Sequence, residues 1–569
     1  MPDERRQFRV LYRDFLRRIV DLDVLSAHGD IEKLLVQLAA MLAAFNFTFM
    51  LVVGPKYLTG PPGAHRMALR GELDFLVSTT MVGAGMFAVL AWNAVLPDRR
   101  DARILGVLPV RTRTVLAAKV AAIASVLGGA VFALNVFSGF SLPWIALPEN
   151  AGAAAAIRAF GAYWLAMAAA ALFVCCGLFA LEGLAAWLLP YRYFLRVSSF
   201  LQLATFFAIL AAWMLEPPGL PVWMPSSWFF GLQQQWSGAT AVHPLAPRAL
   251  CSLAIACGAA ACFFALGYGR AGRRVIEQPD ILPAPRRRGP RFANALLPRP
   301  LDRAIVLFTA RTIARSRQHR LYLAAYAGVG LGIAFAYARD LLYGPSDPYA
   351  RRLGLAWDQP NFPMLMGGLV LLCFAVLGAR ATFSLPLAPG ANWVFRVTAV
   401  QHAGDYFGAV RKALVSLTVL PLWLAGAAVY FLAWPPRPAA QHLFALALAA
   451  ALLVHRSLDQ FRKIPFACSY LPGKSNLHLR IGVYALGLLT VASLSVQIEY
   501  FSLDRPVAFT IFCGVWLVAA TCYWHRWRQF VRLPDNWLQF EDLPPADIEA
   551  LDLHNPPPFM SRAQSHASR

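Results

Sequence analysis

Twelve apolar runs dominate this sequence, and most are long enough to cross the hydrocarbon core of a membrane. An α-helix rises about 1.5 Å per residue, so about 20 apolar residues cross about 30 Å of hydrocarbon. The runs are residues 34–53, 75–96, 120–140, 161–181, 197–214, 249–268, 321–337, 363–378, 413–434, 443–454, 481–498 and 507–524. The tenth is the shortest, and a re-entrant or interfacial course stays open for it. The pattern predicts an all-α, polytopic transmembrane helical bundle of about 12 spans.

Composition supports a membrane protein and excludes most other classes. Of the 569 residues, 58% are apolar and 14% are charged, against about 45–50% and about 25% in soluble globular domains. A soluble enzyme, a disordered chain, a collagen and a disulfide scaffold are all excluded by these figures.

Basic residues predict the orientation of the spans. The chain has 52 Lys and Arg against 30 Asp and Glu, a net charge of +22. If the N-terminus is inside, 42 of the 52 basic residues lie in cytoplasmic segments, at about twice the density found outside. Because Lys and Arg resist translocation, we expect a multi-pass protein of the bacterial inner membrane with both termini cytoplasmic. The membrane accounts for the charge, so we expect the lipid bilayer as partner and no nucleic acid.

A basic, proline-containing stretch divides the chain into two pseudo-repeated halves of six spans. Residues 270–320 hold 13 basic residues and several prolines, which is typical of a linker. The predicted regions are an N-terminal amphipathic region (1–33), a first half (34–268), a linker with an interfacial helix (269–320), a second half (321–524) and a cytoplasmic tail (525–569).

Each half opens with an amphipathic, basic helical pattern. In the first, arginines four residues apart share one face and apolar residues another: Arg5, Arg9, Arg13 and Arg17 against Phe8, Leu11, Phe15 and Ile19. In the second, Arg311, Arg315 and His319 recur beside Ile305, Phe308 and Ile313. Such helices lie in the headgroup plane of a membrane, although a solvated helix in a cytoplasmic tail is an alternative for the first.

The longest cytoplasmic loop of each half follows its second span. These loops, 97–119 and 379–412, both contain Leu-Pro, end in basic residues and lead directly into the third span. A membrane protein driven by a soluble motor needs a short element whose polar residues bind the motor subunit and whose apolar residues insert into a cleft on it. Both loops have this composition.

At these residues the chain resembles the permease subunits of ATP-binding-cassette exporters of the type-two class, with two six-span units fused. The first loop carries the likeness at Asp98, Arg99, Arg100, Asp101, Arg103, Leu108, Pro109, Arg111, Arg113 and Lys119, and the second at Asn392, Trp393, Phe395 and Arg396. Before the sixth span, Trp223, Pro225, Trp228 and Phe229 resemble an extracytoplasmic re-entrant segment. No counterpart of that segment stands in the second half.

The resemblance implies that both loops contain coupling helices that dock on separate ATP-binding subunits. The chain itself lacks a phosphate loop, because Cys468 stands where the nearest candidate, Gly473-Lys474-Ser475, would need its first glycine. We therefore expect no catalytic, cofactor or metal residues in this chain and ATP hydrolysis on another. The residues expected to line the translocation path are apolar, which favours a hydrophobic or amphipathic substrate.

Two other functions stay open. Residues 98–103 are similar to a loop of major-facilitator secondary transporters, although about 20 residues then precede the third span, where that family has a short link. Alternatively, Glu72 and Asp74 resemble the outer acidic residues of membrane glycosyltransferases that use lipid-linked donors. The simpler interpretation is that these carboxylates cap the second span.

Polar residues within the runs are amides without charge: Gln37, Asn46, Asn135, Gln202 and Gln497. A proton- or sodium-coupled carrier usually buries an ionisable group, so this pattern favours external drive by ATP. We expect the amides to form interhelical hydrogen bonds, and Gly328, Gly330 and Gly332 to permit close helix packing.

Overall fold

The computed structural model describes residues 4–20, 31–58, 62–92, 105, 108–145, 147, 152–214, 221–238, 244–277, 297–343, 356–385, 403–459, 464–466 and 477–532. Within these ranges the regular structure is entirely helical. The predicted all-α fold is therefore confirmed for the described part of the chain.

Eight helices form the first part of the bundle. They are α1 (Glu4–Val20), α2 (Ile31–Leu58), α3 (Pro62–Leu90), α4 (Thr112–Ile145), α5 (Ala153–Leu188), α6 (Tyr191–Met214), α7 (Pro225–Ser237) and α8 (Ala246–Glu277). The helix α8 continues nine residues past the predicted end of the first half.

Seven helices follow: α9 (Pro300–Arg315), α10 (Arg317–Tyr343), α11 (Phe362–Phe383), α12, α13 (Pro436–Ser457), α14 (Leu477–Ser502) and α15 (Pro506–Arg532). The helix α12 joins Ala403–Leu414, a π-helical turn at Val415–Val419 and Leu420–Ala433. Proline is the first residue of α9, α13 and α15, where its missing N–H breaks no helical hydrogen bond. The start of α11 is capped by Asn361, whose Oδ1 accepts from Met364 N at 3.0 Å.

Ten of the described helices are long and apolar enough to cross a membrane: α3, α4, α5, α6, α8, α10, α11, α12, α13 and α15. The doubtful tenth run lies in one of them, because α13 extends it to 22 residues. The first and eleventh runs lie in α2 and α14, of 28 and 26 residues. These lengths and compositions support a multi-pass membrane protein.

The helices α3 and α11, which cover most of the second apolar run and all of the eighth, are the most buried of these ten helices. In α3 and α11, 67% and 72% of the most apolar 18-residue stretch is buried within the protein, against 11–44% in the other eight helices. α3 packs against α4, α5, α6 and α7, and α11 packs against α10, α12, α13 and α14. Thus α3 and α11 each contact the three long helices that follow them along the chain.

The first eight helices contact the last seven where α6 packs along α10. Arg320 Nη2 donates to Ser199 Oγ at 2.8 Å, and a Cβ placed on Gly328 would overlap the Phe206 ring. A Cβ on Gly330 would lie 2.9 Å from Phe374 Cβ, whereas Gly332 has ordinary van der Waals room. Close packing is thus confirmed at two of the three predicted glycines.

Candidate functional site

One end of the bundle carries both amphipathic helices and the first turns of α4 and α12; we call it the basic end. Phe140 of α4 packs on Phe160 of α5 with ring centroids 5.5 Å apart, so α4 and α5 are antiparallel and α4 begins where α5 ends. The helix α6 follows α5 directly. It runs parallel to α10, because Arg320 bonds Ser199 and Gly328, farther along α10, contacts Phe206, farther along α6. The starts of α4, α6 and α10 therefore lie at this same end.

The apolar face of α1 packs against the first turns of α4. Leu11 and Phe15 are 8% and 4% exposed and form a cluster with Val115, Ala118 and Ala122. On the other face, Arg5, Arg9 and Arg13 are exposed. The predicted amphipathic stripe is confirmed for these residues, and α4 covers the apolar face at Leu11 and Phe15. The position of α1 in the headgroup plane stays a prediction.

Polar contacts fix α1 to α4 as well. Arg111 Nη1 lies 2.5 Å from Glu4 Oε1, and Tyr12 donates to Ser125 Oγ at 3.0 Å. Lys119 is only 3% exposed, and its ammonium lies 5.1 Å from the centroid of the Phe15 ring. In this arrangement Lys119 lies beneath α1, where another subunit cannot reach it.

The turn before α4 presents an apolar residue beside basic ones. Leu108 is 48% exposed and Pro109 is also exposed, in a tight turn in which Val110 N donates to Leu108 O at 2.7 Å. Arg111 O accepts from Thr114 N and Val115 N, which starts the helix. Arg111 and Arg113 point out into solvent-accessible space. These four candidate coupling residues therefore share one accessible surface.

The second half repeats this arrangement with α9 and α12. Ile305 and Val306 of α9 are buried in the same core as Val410 of α12. Lys412 forms an ion pair with the buried Asp302, and Arg299 Nη1 lies 3.8 Å from Asp405 Oδ1.

The predicted stripe of α9 is wrong at its last member. The helix ends at Arg315, and His319 belongs to α10. His319 is fully buried, with Nδ1 2.6 Å from Ser316 Oγ and Nε2 3.2 Å from Leu385 O. Arg311 and Arg315 are exposed, as the stripe requires.

Several predicted residues lie outside the described ranges. They are Asp98, Arg99, Arg100, Asp101, Arg103, Asn392, Trp393, Phe395 and Arg396 of the two loops, and the Gly473-Lys474-Ser475 turn.

The segment predicted as re-entrant is the short helix α7. Pro225 is its first residue, Trp228 Nε1 donates to Val222 O at 2.7 Å, and Trp223 is 66% exposed. Phe229 is fully buried, with its ring centroid 5.4 Å from that of Phe173 in α5. The helix α7 also packs on α3 and α8. Its buried residues share a core with Ala246 and Ala249 in the first turn of α8, so it lies at the end opposite the basic end.

A buried amide cluster, formed by Asn46, Thr80, Asn135, Ser138 and Tyr163, links α2, α3, α4 and α5. Asn46 Nδ2 donates to Ser138 Oγ at 3.0 Å, Asn135 Nδ2 donates to Thr80 Oγ1 at 2.9 Å, and Tyr163 donates to Asn135 Oδ1 at 2.9 Å.

Two of the five amides predicted to bond between helices belong to this cluster. A third, Gln202 of α6, donates to Val89 O of α3 at 2.6 Å. Interhelical bonding is thus confirmed for three amides. Gln497 is exposed, and the side chain of Gln37 lies outside the described set.

The second half buries an acid–imidazole pair at the end opposite the basic end. His442 Nδ1 lies 2.7 Å from Glu499 Oε1, with side chains 1% and 5% exposed. The imidazole ring lies 4.6 Å from the Tyr430 ring and 5.9 Å from the Trp434 ring. The sequence interpretation missed this pair, because His442 and Glu499 each lie one residue outside the tenth and eleventh runs. The helix α13 begins before the tenth run, and α14 continues beyond the eleventh.

The capping interpretation of Glu72 and Asp74 is also wrong. The helix α3 begins at Pro62, so both carboxylates lie in its interior, and Asp74 is buried. Because they are two residues apart on a helix, their side chains point in directions about 160° apart. One metal or substrate cannot be held by both.

Among the described residues, no group of three or more His, Cys, Asp or Glu is placed to hold a metal ion. The residues that converge are therefore those of the basic end, the amide cluster and the His442–Glu499 pair. No protein-family model, curated protein or solved structure matches this chain.

Proposed function

We propose that this chain is the permease of an ATP-driven exporter of the ATP-binding-cassette type, with two six-span halves and separate ATPase subunits bound at the basic end. That end is then cytoplasmic, in a bacterial inner membrane. One observation carries the proposal: in both halves an amphipathic helix is fixed to the first turns of the third span, where the longest loop of that half ends.

This arrangement suits the transmission of force. A subunit that pushes on the turn at Leu108 moves α4 directly, because the turn leads into its first residue. The buried contact of Leu11 and Phe15 with α4 makes α1 move with it. Packed elements shift as rigid bodies, so displacement at the turn reaches the far end of α4, about 50 Å away for its 34 residues.

Recurring contacts support two repeated halves. In both, the second helix packs on the third, fourth and fifth, and the fourth packs on the sixth, as α5 on α8 and α13 on α15. The halves are not equivalent throughout, since α7 has no counterpart among the described residues between α14 and α15. A path between the halves would run beside α6 and α10.

The test is purification in mild detergent with identification of co-purifying chains, followed by Arg113→Glu and the double variant Arg111→Glu, Arg113→Glu. We expect an ATP-binding subunit to co-purify and the double variant to retain at most about a tenth of it, because two exposed charges at the docking surface are reversed. Leu108→Ala tests the apolar contact in the same assay.

Arg437→Glu is the matched control, because Arg437 is exposed at the opposite end of the bundle. Its ATPase recovery should equal that of the unaltered chain. Reproducible absence of any ATPase, or equal recovery in the charge-reversed and control proteins, contradicts the proposal.

The His442–Glu499 pair favours a second candidate, an ion-coupled secondary carrier. A buried carboxylate beside an imidazole is a common element of proton relays in membranes. Transport in sealed vesicles, driven by a proton gradient without ATP and lost in Glu499→Gln, would establish this function in place of the first.

A further inference from the structure

A cavity of about 710 Å³ lies between the N-terminal end of α9 and the helices α12 and α13, at the basic end. Its inner wall is apolar, and its rim is charged. The apolar wall includes Val415, Val419, Leu420, Trp423 and Val454. A volume of this size accommodates a drug-sized or lipid-sized group.

The π-helical turn of α12 forms one side of this cavity. Leu420 N donates to Val415 O, five residues back, which inserts an extra residue and widens the helix locally. Both residues of that bond, together with Ser416 and Val419, line the cavity. Such turns cost stability and are found frequently at functional sites.

Basic side chains line the rim of the cavity. Among the described lining residues, the cations are Arg299, Arg411 and Lys412, and the one carboxylate is Asp302, which is paired with Lys412. Arg299 has a carboxylate partner in Asp405, but Asp405 is not part of the lining. Asp459 likewise acts on Arg411 from outside the lining. Among the described lining residues, a ligand therefore meets three cations and one carboxylate directly, with two further carboxylates behind the cations.

One cation at the rim is held in place by an aromatic ring. The Arg411 guanidinium lies 3.8 Å from the centroid of the Trp527 ring, which fixes it in place. His455 also lines the cavity, and its Nδ1 is buried without a hydrogen-bond partner.

The cavity opens on the apolar surface of the bundle. Val415 and Leu420 are 41% and 38% exposed although both are hydrophobic, and Ala447 and Ala451 of the facing wall are exposed as well. In a membrane these surfaces meet acyl chains. The combination of apolar wall and cationic rim matches a lipid rather than a soluble metabolite.

We propose that this cavity binds an acidic phospholipid of the leaflet at the basic end. One acyl chain lies along Val419 and Trp423, and the phosphate contacts Arg299, Arg411 and Lys412. The proposal depends on the chain being in a membrane and not on the bound ATPase.

Native mass spectrometry of the purified chain with added phosphatidylglycerol or phosphatidylcholine measures this binding. We expect the acidic lipid to be retained preferentially. Ala451→Trp fills the wall and should reduce retained lipid at least fivefold, whereas Ala440→Trp, an exposed alanine of the same helix outside the cavity, should have no effect. Equal loss in both variants overturns the site.

Arg299→Gln tests the headgroup contact, since this exposed residue can be changed without leaving a buried charge. We expect preference for phosphatidylglycerol over phosphatidylcholine to fall about fivefold, the ratio that corresponds to about 1 kcal/mol for one basic residue near the lipid surface. An unchanged ratio, or no preference in the unaltered chain, overturns an acidic ligand. Competition by inorganic phosphate as strong as by the lipid overturns the role of the acyl chain.

Discussion

At the scale of single residues, the strongest interactions are polar contacts inside an apolar bundle. The amide cluster needs no charge, because each group finds a neutral partner. The His442–Glu499 pair differs, since loss of either partner leaves a buried polar group without its main contact. The amides are visible in the sequence, but their partners lie 28 to 92 residues away and only the packing of helices brings them together.

Glu499→Ala should destabilise the second half by about 3–5 kcal/mol, the usual cost of removing one member of a buried pair. The measurement is the thermal unfolding midpoint of the protein in detergent. Glu499→Gln keeps a hydrogen-bond acceptor near His442 Nδ1 and should cost less. Gln497→Ala is the control on the same helix, because Gln497 is exposed. A midpoint for Glu499→Ala equal to that of the control would show that the pair adds no stability.

At the scale of helices, the sequence predicts which face is apolar but not what covers it. The four-residue spacing identifies the buried face of α1 at Leu11 and Phe15. Lipid and another helix are equally apolar, so the pattern cannot distinguish them, and α4 rather than lipid covers this face. The π-helical turn of α12 likewise has no clear sequence signal, because its residues are ordinary apolar ones.

The packing of α5 on α8 makes a prediction about two native cysteines. Cys176 Sγ and Cys257 Sγ lie 3.6 Å apart across this contact. Mild oxidation in membranes should therefore join them, and peptide mass spectrometry should detect the Cys176–Cys257 link. Cys175 is the internal control, since its Sγ contacts Ala84 O of α3 instead. A link from Cys175 to Cys257 in place of the expected one would contradict the packing of α5 on α8.

At the scale of the whole molecule, the distribution of basic residues and the helix lengths describe a bundle with a basic end that faces one side of a membrane. The predicted orientation puts Leu108 inside the cell and Trp223 outside. Both are well exposed, at 48% and 66%, so both are suitable for labelling.

Single cysteines at these positions, in a chain without its native cysteines, test the orientation. In intact cells a membrane-impermeant maleimide should label Trp223→Cys and leave Leu108→Cys unlabelled until the membrane is permeabilised. The reverse pattern would place the basic end outside and remove the basis for coupling to a cytoplasmic ATPase.

The sequence alone determined that the chain is helical and apolar, where its long apolar segments lie, and which faces of α1 and α9 are apolar. Those properties depend on composition and on local spacing, which any stretch of about 20 residues carries by itself. Tertiary structure decided that α1 packs on α4, that Lys119 is covered while Arg113 is free, that Glu499 is paired with His442 inside the bundle, and that a cavity opens beside the π-helical turn. These features depend on contacts between segments distant in sequence, and their free energy exists only once the helices have packed.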